Sequence, residues 1–274
     1  RSVQGRIQQS SIWLLIASPE EAKILQEEIA QKNSLTRFKL LLYHDSDAAI
    51  QRLNQPSQLD GIVIGEQLSL SDELIQELLE QRNTGQTVLQ LMDWCESTLQ
   101  RTPPELLSSR WLLLSDGFHL RPGQFGWRLK RLGDLATATA LLAICLPVMA
   151  LAALLIKLDD GGPVFYSQIR TGLYGVPFRI WKLRSMQTWS ERDGAQWASL
   201  ADPRITRVGN WLRRLRVDEL PQLINVIKGD MSLIGPRPER PELETRLEQS
   251  IPHYRVRHWI RPGLSGWSQV SFPY

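Results

Sequence analysis

Residues 135–156 read LATATALLAICLPVMALAALLI, twenty-two positions without a charge. A stretch of that length satisfies the ~20 residues a membrane-crossing helix needs. Pro147 stands in its middle, where a proline removes a backbone donor and clashes with the preceding turn. A helix broken there leaves residues 135–146, twelve positions, or ~18 Å at ~1.5 Å per residue. That is short of a hydrocarbon core ~30 Å thick. Residues 135–157 are therefore expected to form a re-entrant hairpin that enters and leaves on one side, with Pro147 as the membrane break. Thr137 and Thr139 are placed to satisfy backbone groups freed at the bend. A kinked spanning helix is the rival reading, and a soluble core helix would need apolar surroundings on every side.

The flanks agree with the hairpin in part. Arg121, Arg128, Lys130 and Arg131 precede the run and Lys157 follows it, so neither end has the charge of a translocated segment. Asp159 and Asp160 weigh little in that rule. Residues 121–134, basic and Trp-bearing, read as a linker helix lying in the membrane interface.

Further outward, charge divides the chain. Residues 1–120 carry a net charge of -6 and residues 121–274 a net of +9. The second portion is the one suited to an anionic partner: phosphate, nucleic acid or an acidic lipid surface. Seven of the ten tryptophans lie there as well, a mixture that suits a membrane interface as well as nucleic acid. With 42% hydrophobic and 22% charged residues, the 274-residue chain is neither a disordered tail, nor collagen-like, nor a multi-span membrane protein. Cys95 and Cys145, in unlike surroundings, make neither a disulfide framework nor a metal site, which fits a reducing compartment. The chain opens on Arg1 with no charged-then-apolar leader, so no secretory signal is expected and the sequence reads as a piece of a longer protein.

Residues 1–120 read as a small α/β domain. Apolar runs at 12–17, 38–43 and 61–64, with weaker ones at 87–91 and 111–114, alternate with segments of helical period such as 20–30 and 72–81. Five strands alternating with helices predict an open, mostly parallel, Rossmann-like sheet covered on both faces. The first strand-to-helix turn reads Ile16-Ala17-Ser18-Pro19-Glu20-Glu21, without glycine and with two carboxylates where a pyrophosphate would sit. A nucleotide site there is not expected. Asp45, Asp47 and Asp93 near strand ends read as caps, and the domain as a regulatory or interaction module.

Residues 158–274 read as a small mixed α+β catalytic domain. Gly161-Gly162-Pro163 turns into a strand that reaches Gln168, and residues 177–186 alternate so that Phe178, Ile180, Lys182 and Arg184 share one face. Two cations ending an apolar face suit a diphosphate clamp or a solvated strand end. Asp202-Pro203-Arg204 leads into a helix with Val208, Trp211, Leu212 and Leu215 on one stripe. Arg207, Arg213, Arg214 and Arg216 crowd its other faces, and Arg213 or Arg214 reads as solvated.

The pair Asp218-Glu219 precedes Pro221, which places the start of a helix near Asp218. A helix N-terminus keeps both carboxylates ionised. One could then attack phosphorus and its neighbour hold a divalent cation; ordinary capping by Asp218 is the plainer reading. Gly235-Pro236-Arg237-Pro238 adds a guanidinium on a stiff turn, and Arg261-Pro262-Gly263 a second stiff basic loop. A helix-starting acid pair among pre-set arginines, beside a membrane element, is a phosphoryl-transfer constellation.

From about Arg128 to Pro273 the chain resembles the bacterial sugar transferase family, the monotopic polyprenyl-phosphate phosphoglycosyl transferases. The resemblance rests on Gly162-Pro163-Val164-Phe165 and on residues 178–186, 202–204, 218–223, 229–238 and 262–270. The upstream domain resembles the Rossmann-like module of the family's large form, which carries transmembrane helices before that module and a further helical segment after the Gly-Trp loop. The resemblance thus implies a chain shortened at both ends. It implies a re-entrant membrane helix, soluble parts on the cytoplasmic face of the bacterial inner membrane, and a covalent mechanism.

In that mechanism Asp218 attacks the β-phosphate of a UDP-sugar and releases UMP. Polyprenyl (undecaprenyl) phosphate then accepts the sugar phosphate, the first membrane step of exopolysaccharide or glycoconjugate assembly. Asp218 and Glu219 are the implied catalytic pair and ligands of Mg²⁺. Lys182, Arg184, Arg237, Arg204 and Gln168 are the candidate phosphate or nucleotide contacts. The implied partners are a UDP-sugar, polyprenyl phosphate and the bilayer, with no nucleic acid; a homodimer through the α/β domain is compatible with the sequence. One departure is Arg216-Val217 before the acid pair, where relatives often carry Ser-Leu.

Three other classes are distinguishable. A non-catalytic membrane scaffold would be indifferent to Asp218→Asn and Glu219→Gln. A nucleic-acid module would bind RNA or DNA with steep salt dependence and without detergent. A nicotinamide oxidoreductase lacks the glycine turn.

Overall fold

The computed structural model describes residues 11–31, 38–55, 59–114, 125–190, 194 and 202–271. Residues 121–124 of the expected interfacial linker, with Arg121, and also Trp197 and Pro273, lie outside the described residues. The chain forms two compact units, Arg1–Ser115 and Asp116–Tyr274.

In the first unit, β1 (Ser11–Ile16), β2 (Phe38–Tyr43), β3 (Gly61–Ile64) and β4 (Val88–Gln90) make a parallel sheet in the order β2-β1-β3-β4. Three helices, α1 (Pro19–Gln31), α2 (Ser46–Leu53) and α3 (Asp72–Asn83), connect the strands. The two-residue period of β1 explains why both faces are covered. Leu14 and Ile16 join Ile62, Ala49, Leu53 and Leu74 in one core. Leu15 points the other way, into a core with Val63, Ala22, Leu25 and Trp94. Asp45 caps α2, its side chain accepting from the Ala48 N–H. Beyond β4 the chain turns at once into the one-turn α4 (Leu91–Trp94). Cys95 follows, and burial pushes its thiol up to about 12, the behaviour of an inert core residue.

The expected fifth strand at 111–114 is instead part of a helix, α5 (Ser109–Leu114). Ser108 starts it, its Oγ accepting from the Trp111 N–H at 3.0 Å. Four apolar residues in a row do not by themselves distinguish strand from helix, and a capping serine decides for helix. The sheet therefore has four described strands.

The first β-to-α turn is occupied by protein. Glu21 is 2% exposed. Its Oε1 accepts from the Glu66 and Gln67 N–H groups at 2.7 and 3.1 Å, and its Oε2 from the Ser18 N–H at 2.9 Å. The Ser18 Oγ in turn accepts from the Glu21 N–H at 3.2 Å, a reciprocal cap. The carboxylate takes the donors that a bound phosphate would use.

The second unit begins with α6 (Phe125–Asp160), one helix of 36 residues, or ~54 Å at ~1.5 Å per residue. It runs through Pro147 without interruption, so the expected break into two helices is corrected. A proline deletes one bond of the ladder, and the Leu- and Ala-rich turns on either side are strong helix formers that tolerate the loss. Thr139 does not serve Pro147; its Oγ1 donates to the Leu135 carbonyl of its own turn at 2.8 Å.

Around α6 the unit is small and mixed. β5 (Phe165–Thr171) and β6 (Pro177–Leu183) form an antiparallel hairpin, closed through Tyr174 and Gly175, both at positive φ. Helices α7 (Arg207–Arg214), α8 (Gln222–Lys228), α9 (Pro241–Ser250) and α10 (Trp267–Ser271) alternate with a short parallel pair, β7 (Ser232–Ile234) and β8 (Gly263–Ser265). Ala138, from the first half of α6, packs with Ile180, Leu223, Val226 and Met231. Ala152 and Ile156, from its second half, pack with Leu183 and Leu212. Between these anchors Ile144, Leu146, Val148 and Leu151 are 47–70% exposed.

Candidate functional site

Thr206 starts α7 by accepting from the Gly209 N–H at 2.9 Å. Val208 and Leu212 face the core while Trp211 and Leu215 of the same stripe are exposed. The helix ends at Leu215, and Arg216 takes a left-handed φ of 57° that reverses the chain. Val217–Glu219 then form a single 3₁₀ turn, and α8 begins only at Gln222, with Pro221 before it. A helical turn does start near Asp218, as the 3₁₀ turn Val217–Glu219, and the α-helix proper follows only at Gln222, so the acid pair sits one turn upstream of α8. Both side chains are buried, Asp218 at 7% and Glu219 at 8% exposure, so specific neighbours rather than the helix end decide their charge.

Glu219 is held by cations. Its Oε1 accepts from Lys182 Nζ at 3.0 Å and from Arg237 Nη2 at 2.9 Å. Its Oε2 lies 3.7 Å from Arg216 Nη1. Burial alone would push this carboxyl up, but Lys182 and Arg237 outweigh it and hold it at about 2. Asp218 goes the other way. Burial raises it above the ordinary carboxylate range, with Glu219 adding to the rise while Lys182 and Arg213 oppose it. Its Oδ1 is buried and has no hydrogen-bond partner. Burial pulls Lys182 below its ordinary range and Glu219 resists. Two adjacent carboxyls with environments that drive them apart mark a site with divided roles.

The candidate cations do not all converge. Lys182 and Arg237 meet on Glu219, as described. Arg184 lies past the end of β6, 6% exposed, and its guanidinium grips the Asp160 carboxylate while Nε donates to the Pro163 carbonyl at 2.6 Å. Asp160 is held at about 2 by that pairing. Arg184 thus ties the end of α6 to β6. Arg204 is paired with Asp202 in its own turn at 2.6 and 2.8 Å and donates to the Ser190 carbonyl at 3.2 Å. Gln168 pairs with Ile180 across the hairpin, on the face that carries Lys182.

Four residues outside the sequence-based set border the site or tie together the elements that carry it. Arg170 shares the face of Lys182; it is drawn down from its ordinary range by burial, and its Nη1 donates to the Pro238 carbonyl at 3.1 Å. Arg216 supplies both the reversal and a third cation. Asn225 links α8 to β6, donating to the Arg179 carbonyl at 2.8 Å and accepting from the Trp181 N–H at 3.3 Å. Its signal in the sequence is an amide inside the apolar run Leu223-Ile224-Asn225-Val226-Ile227. Asp134 joins α6 to β7 through the Ser232 hydroxyl at 2.8 Å and the Leu233 N–H at 3.3 Å; it stands out as an acid at the edge of the uncharged run.

Among the described residues no cluster of three or more His, Cys, Asp or Glu side chains could hold a metal by itself. The acid pair still fits magnesium, which takes one or two carboxylates and completes its shell with phosphate oxygens. Asp218 Oδ1 is a buried acceptor with no hydrogen-bond partner, and Glu219 Oε2 lies at the longer 3.7 Å from Arg216. Chemically, the arrangement can accept a diphosphate on Lys182, Arg237 and Arg216, with a carboxylate alongside.

A sequence model for the family described as bacterial sugar transferase matches residues 125–274. The chain is 47% identical over 164 residues to the UDP-N-acetylgalactosamine-undecaprenyl-phosphate N-acetylgalactosaminephosphotransferase of Aeromonas hydrophila, covering 57% of this chain and 39% of that protein. It is 45% identical over 146 residues to the undecaprenyl-phosphate glucose phosphotransferase of Komagataeibacter xylinus, covering 52% and 27%. It is 43% identical over 143 residues to the UDP-glucose:undecaprenyl-phosphate glucose-1-phosphate transferase of Escherichia coli K12, covering 52% and 31%. The matched segments thus span between about a quarter and two-fifths of these relatives.

Proposed function

The chain belongs to the bacterial sugar transferase family, and on that footing we propose that it moves a sugar 1-phosphate from a UDP-sugar to undecaprenyl phosphate, with Asp218 as nucleophile. The observation that carries the reading is the division within the acid pair: Glu219 fixed as an anion by Lys182 and Arg237, beside Asp218 with a buried, unpartnered oxygen. The relatives' names include both glucose and N-acetylgalactosamine donors, so the donor is read as a class.

The donor's diphosphate settles on the cations around Glu219, which neutralise charge that would otherwise repel a carboxylate. An Asp218 oxygen attacks the β-phosphorus, the bond from that phosphorus to the bridging oxygen breaks, and its electron pair leaves with UMP. The sugar phosphate is then held as an acyl phosphate. A phosphate oxygen of undecaprenyl phosphate attacks the same phosphorus, the bond to Asp218 breaks, and the carboxylate is restored. Desolvation makes Asp218 a more basic nucleophile, and Lys182 keeps its charged form accessible. Asp218 and Glu219 would hold a magnesium ion, which would supply further charge neutralisation.

Without a break at Pro147, the long helix reads as one whose two ends stay on the same side of the bilayer. Near its start Arg131 donates to the Val226 and Ile227 carbonyls at 2.6 and 2.8 Å, and Asp134 binds β7. At its end Asp160 pairs with Arg184. Both polar ends are fastened to the same folded unit, which occupies one side of a bilayer, while the apolar middle is exposed. A span would put those ends on opposite sides, ~30 Å of hydrocarbon apart. With basic residues at both ends, that side is the cytoplasmic one.

The test is UMP release from a panel of UDP-sugars by protein in nanodiscs, with intact-mass detection of the phosphosugar adduct when acceptor is withheld. Asp218→Asn is expected to abolish both. Full turnover by Asp218→Asn, or turnover of the unaltered protein with no adduct under rapid quenching, refutes the covalent route. Cysteines at Leu132 and Leu158, 63% and 73% exposed, are expected to react from one side only; labelling from opposite sides defeats the one-sided reading.

A further inference from the structure

The loop that presents Arg237 runs Gly235-Pro236-Arg237-Pro238-Glu239, between β7 and α9, without regular structure. Its two prolines have no N–H to anchor it, yet its four consecutive carbonyls from 236 to 239 are each bonded from outside the loop. The Gly263 N–H donates to the Pro236 carbonyl at 2.9 Å and the Thr171 N–H to the Glu239 carbonyl at 3.0 Å. Arg257 Nη2 donates to the Arg237 carbonyl at 2.7 Å, and Arg170 Nη1 to the Pro238 carbonyl at 3.1 Å. An irregular segment held at four consecutive carbonyls is built to keep one conformation. What it keeps in place is the guanidinium on Glu219.

Two of the four donors are main-chain groups, and Arg170 also feels the charges of the site directly, being among the cations that act on Lys182. Arg257 stands apart. It rises from the 3₁₀ segment Tyr254–Trp259, lies 4.8 Å over the Tyr254 ring and bonds the Tyr254 hydroxyl. Ring and hydroxyl fix the guanidinium plane, leaving Nη2 aimed at the Arg237 main chain. It bonds the Arg237 backbone and takes no part in the cation cluster on Glu219.

We propose that Arg257 is a positioning residue. It locks the main chain of Arg237 so that the Arg237 guanidinium already stands against Glu219, where the donor's diphosphate arrives. The proposal rests on the sugar-phosphate transfer reading above. Loss of such pre-set geometry falls on the transition state more than on ground-state binding, and a displacement of ~1 Å costs up to ~100-fold in rate.

The experiment compares unaltered protein, Arg257→Gln, Arg257→Lys, Arg237→Gln and the double variant Arg257→Gln/Arg237→Gln in nanodiscs, by UMP release. Arg257→Gln is expected to lower kcat ~10- to 100-fold, with KM for the UDP-sugar changed by less than ~3-fold. Arg257→Lys, which can still donate to the carbonyl, recovers part of the loss. Acting through Arg237, Arg257→Gln adds nothing to Arg237→Gln; losses that multiply in the double variant overturn the proposal. Hydrogen exchange supplies a readout independent of activity. In both Arg257 variants the peptide 232–240, whose Gly235 N–H bonds the Ser265 carbonyl at 3.0 Å, should exchange faster while α8 is unchanged. Unaltered exchange across 232–240 also overturns the proposal. Absence of UMP release from the unaltered protein defeats the transferase reading alone, since exchange still decides whether Arg257 holds the loop.

Discussion

Replacing Glu219 by glutamine removes the one negative charge that Lys182 and Arg237 share, and its cost can be reached by two routes. The carboxyl's ordinary pKa of 4.5 falls to about 2 in the folded protein. At ~1.4 kcal/mol per pH unit that fall corresponds to about 3 kcal/mol of stability. Breaking a buried ion pair by removing one partner costs ~3–5 kcal/mol, and glutamine, which keeps an acceptor oxygen, belongs at the low end. The two figures agree. Because the folded pKa is the lower one, the contribution is fully present above pH 4.5 and is lost as pH falls toward about 2. Urea unfolding followed by tryptophan fluorescence, in detergent micelles at pH 7.5, should show Glu219→Gln less stable by ~3 kcal/mol. With m of ~1–3 kcal/mol/M, the midpoint drops by ~1–3 M. The difference should shrink between pH 4.5 and about 2, because the unaltered protein then loses the same charge. Equal stability at pH 7.5, or a gap that stays constant down to pH 2, would refute the reasoning.

Asp218→Asn is expected to raise the thermal midpoint by ~2–4 °C while abolishing turnover, since burial already disfavours the charge it removes; a lower midpoint in calorimetry would mean the carboxylate supports the fold. Glu21→Ala should cost ~1–2 kcal/mol, because it takes the acceptor from the part-buried N–H bonds of Ser18, Glu66 and Gln67, and the loss should appear in denaturant melts and in faster exchange at Glu66 and Gln67. A Cβ at Gly209 would overlap the Ser185 carbonyl, whereas one at Gly133 meets nothing within 4 Å. Gly209→Ala should therefore destabilise by ~1–3 kcal/mol and Gly133→Ala stabilise by ~0.5–1 kcal/mol, a contrast that paired unfolding curves resolve.

Local features of the chain were legible without coordinates because local chemistry decides them. The uncharged run at 135–156 is a helix by composition, and strands at 38–43 and 61–64 follow from short β-rich runs between turn signals. The Ser18-Pro19-Glu20-Glu21 turn carries its own cap. The proximity of Asp218 and Glu219 is covalent, so the pair was visible as a pair. Segment 111–114 was not legible as a helix, because its apolar run suits either element and a single hydroxyl at Ser108 tips it. Nor was the continuity of α6, since one lost bond at Pro147 competes with the helix propensity of thirty-five neighbours.

The site itself was settled by the tertiary structure. Sequence places Lys182 and Arg184 on one strand face, yet two residues of separation send one to Glu219 and the other to Asp160. Arg204 is taken by Asp202, and Arg216, eclipsed in the sequence by the acid pair it precedes, reaches Glu219 after a left-handed turn. The physical reason is range. Propensity and capping act over a few residues along the chain, whereas ion pairing acts over a few ångströms in space. Which of many arginines meets which carboxylate therefore depends on where β6, the 3₁₀ turn and the Arg237 loop are brought together. The opposed charge states of two adjacent acids exist only once burial and those partners are in place.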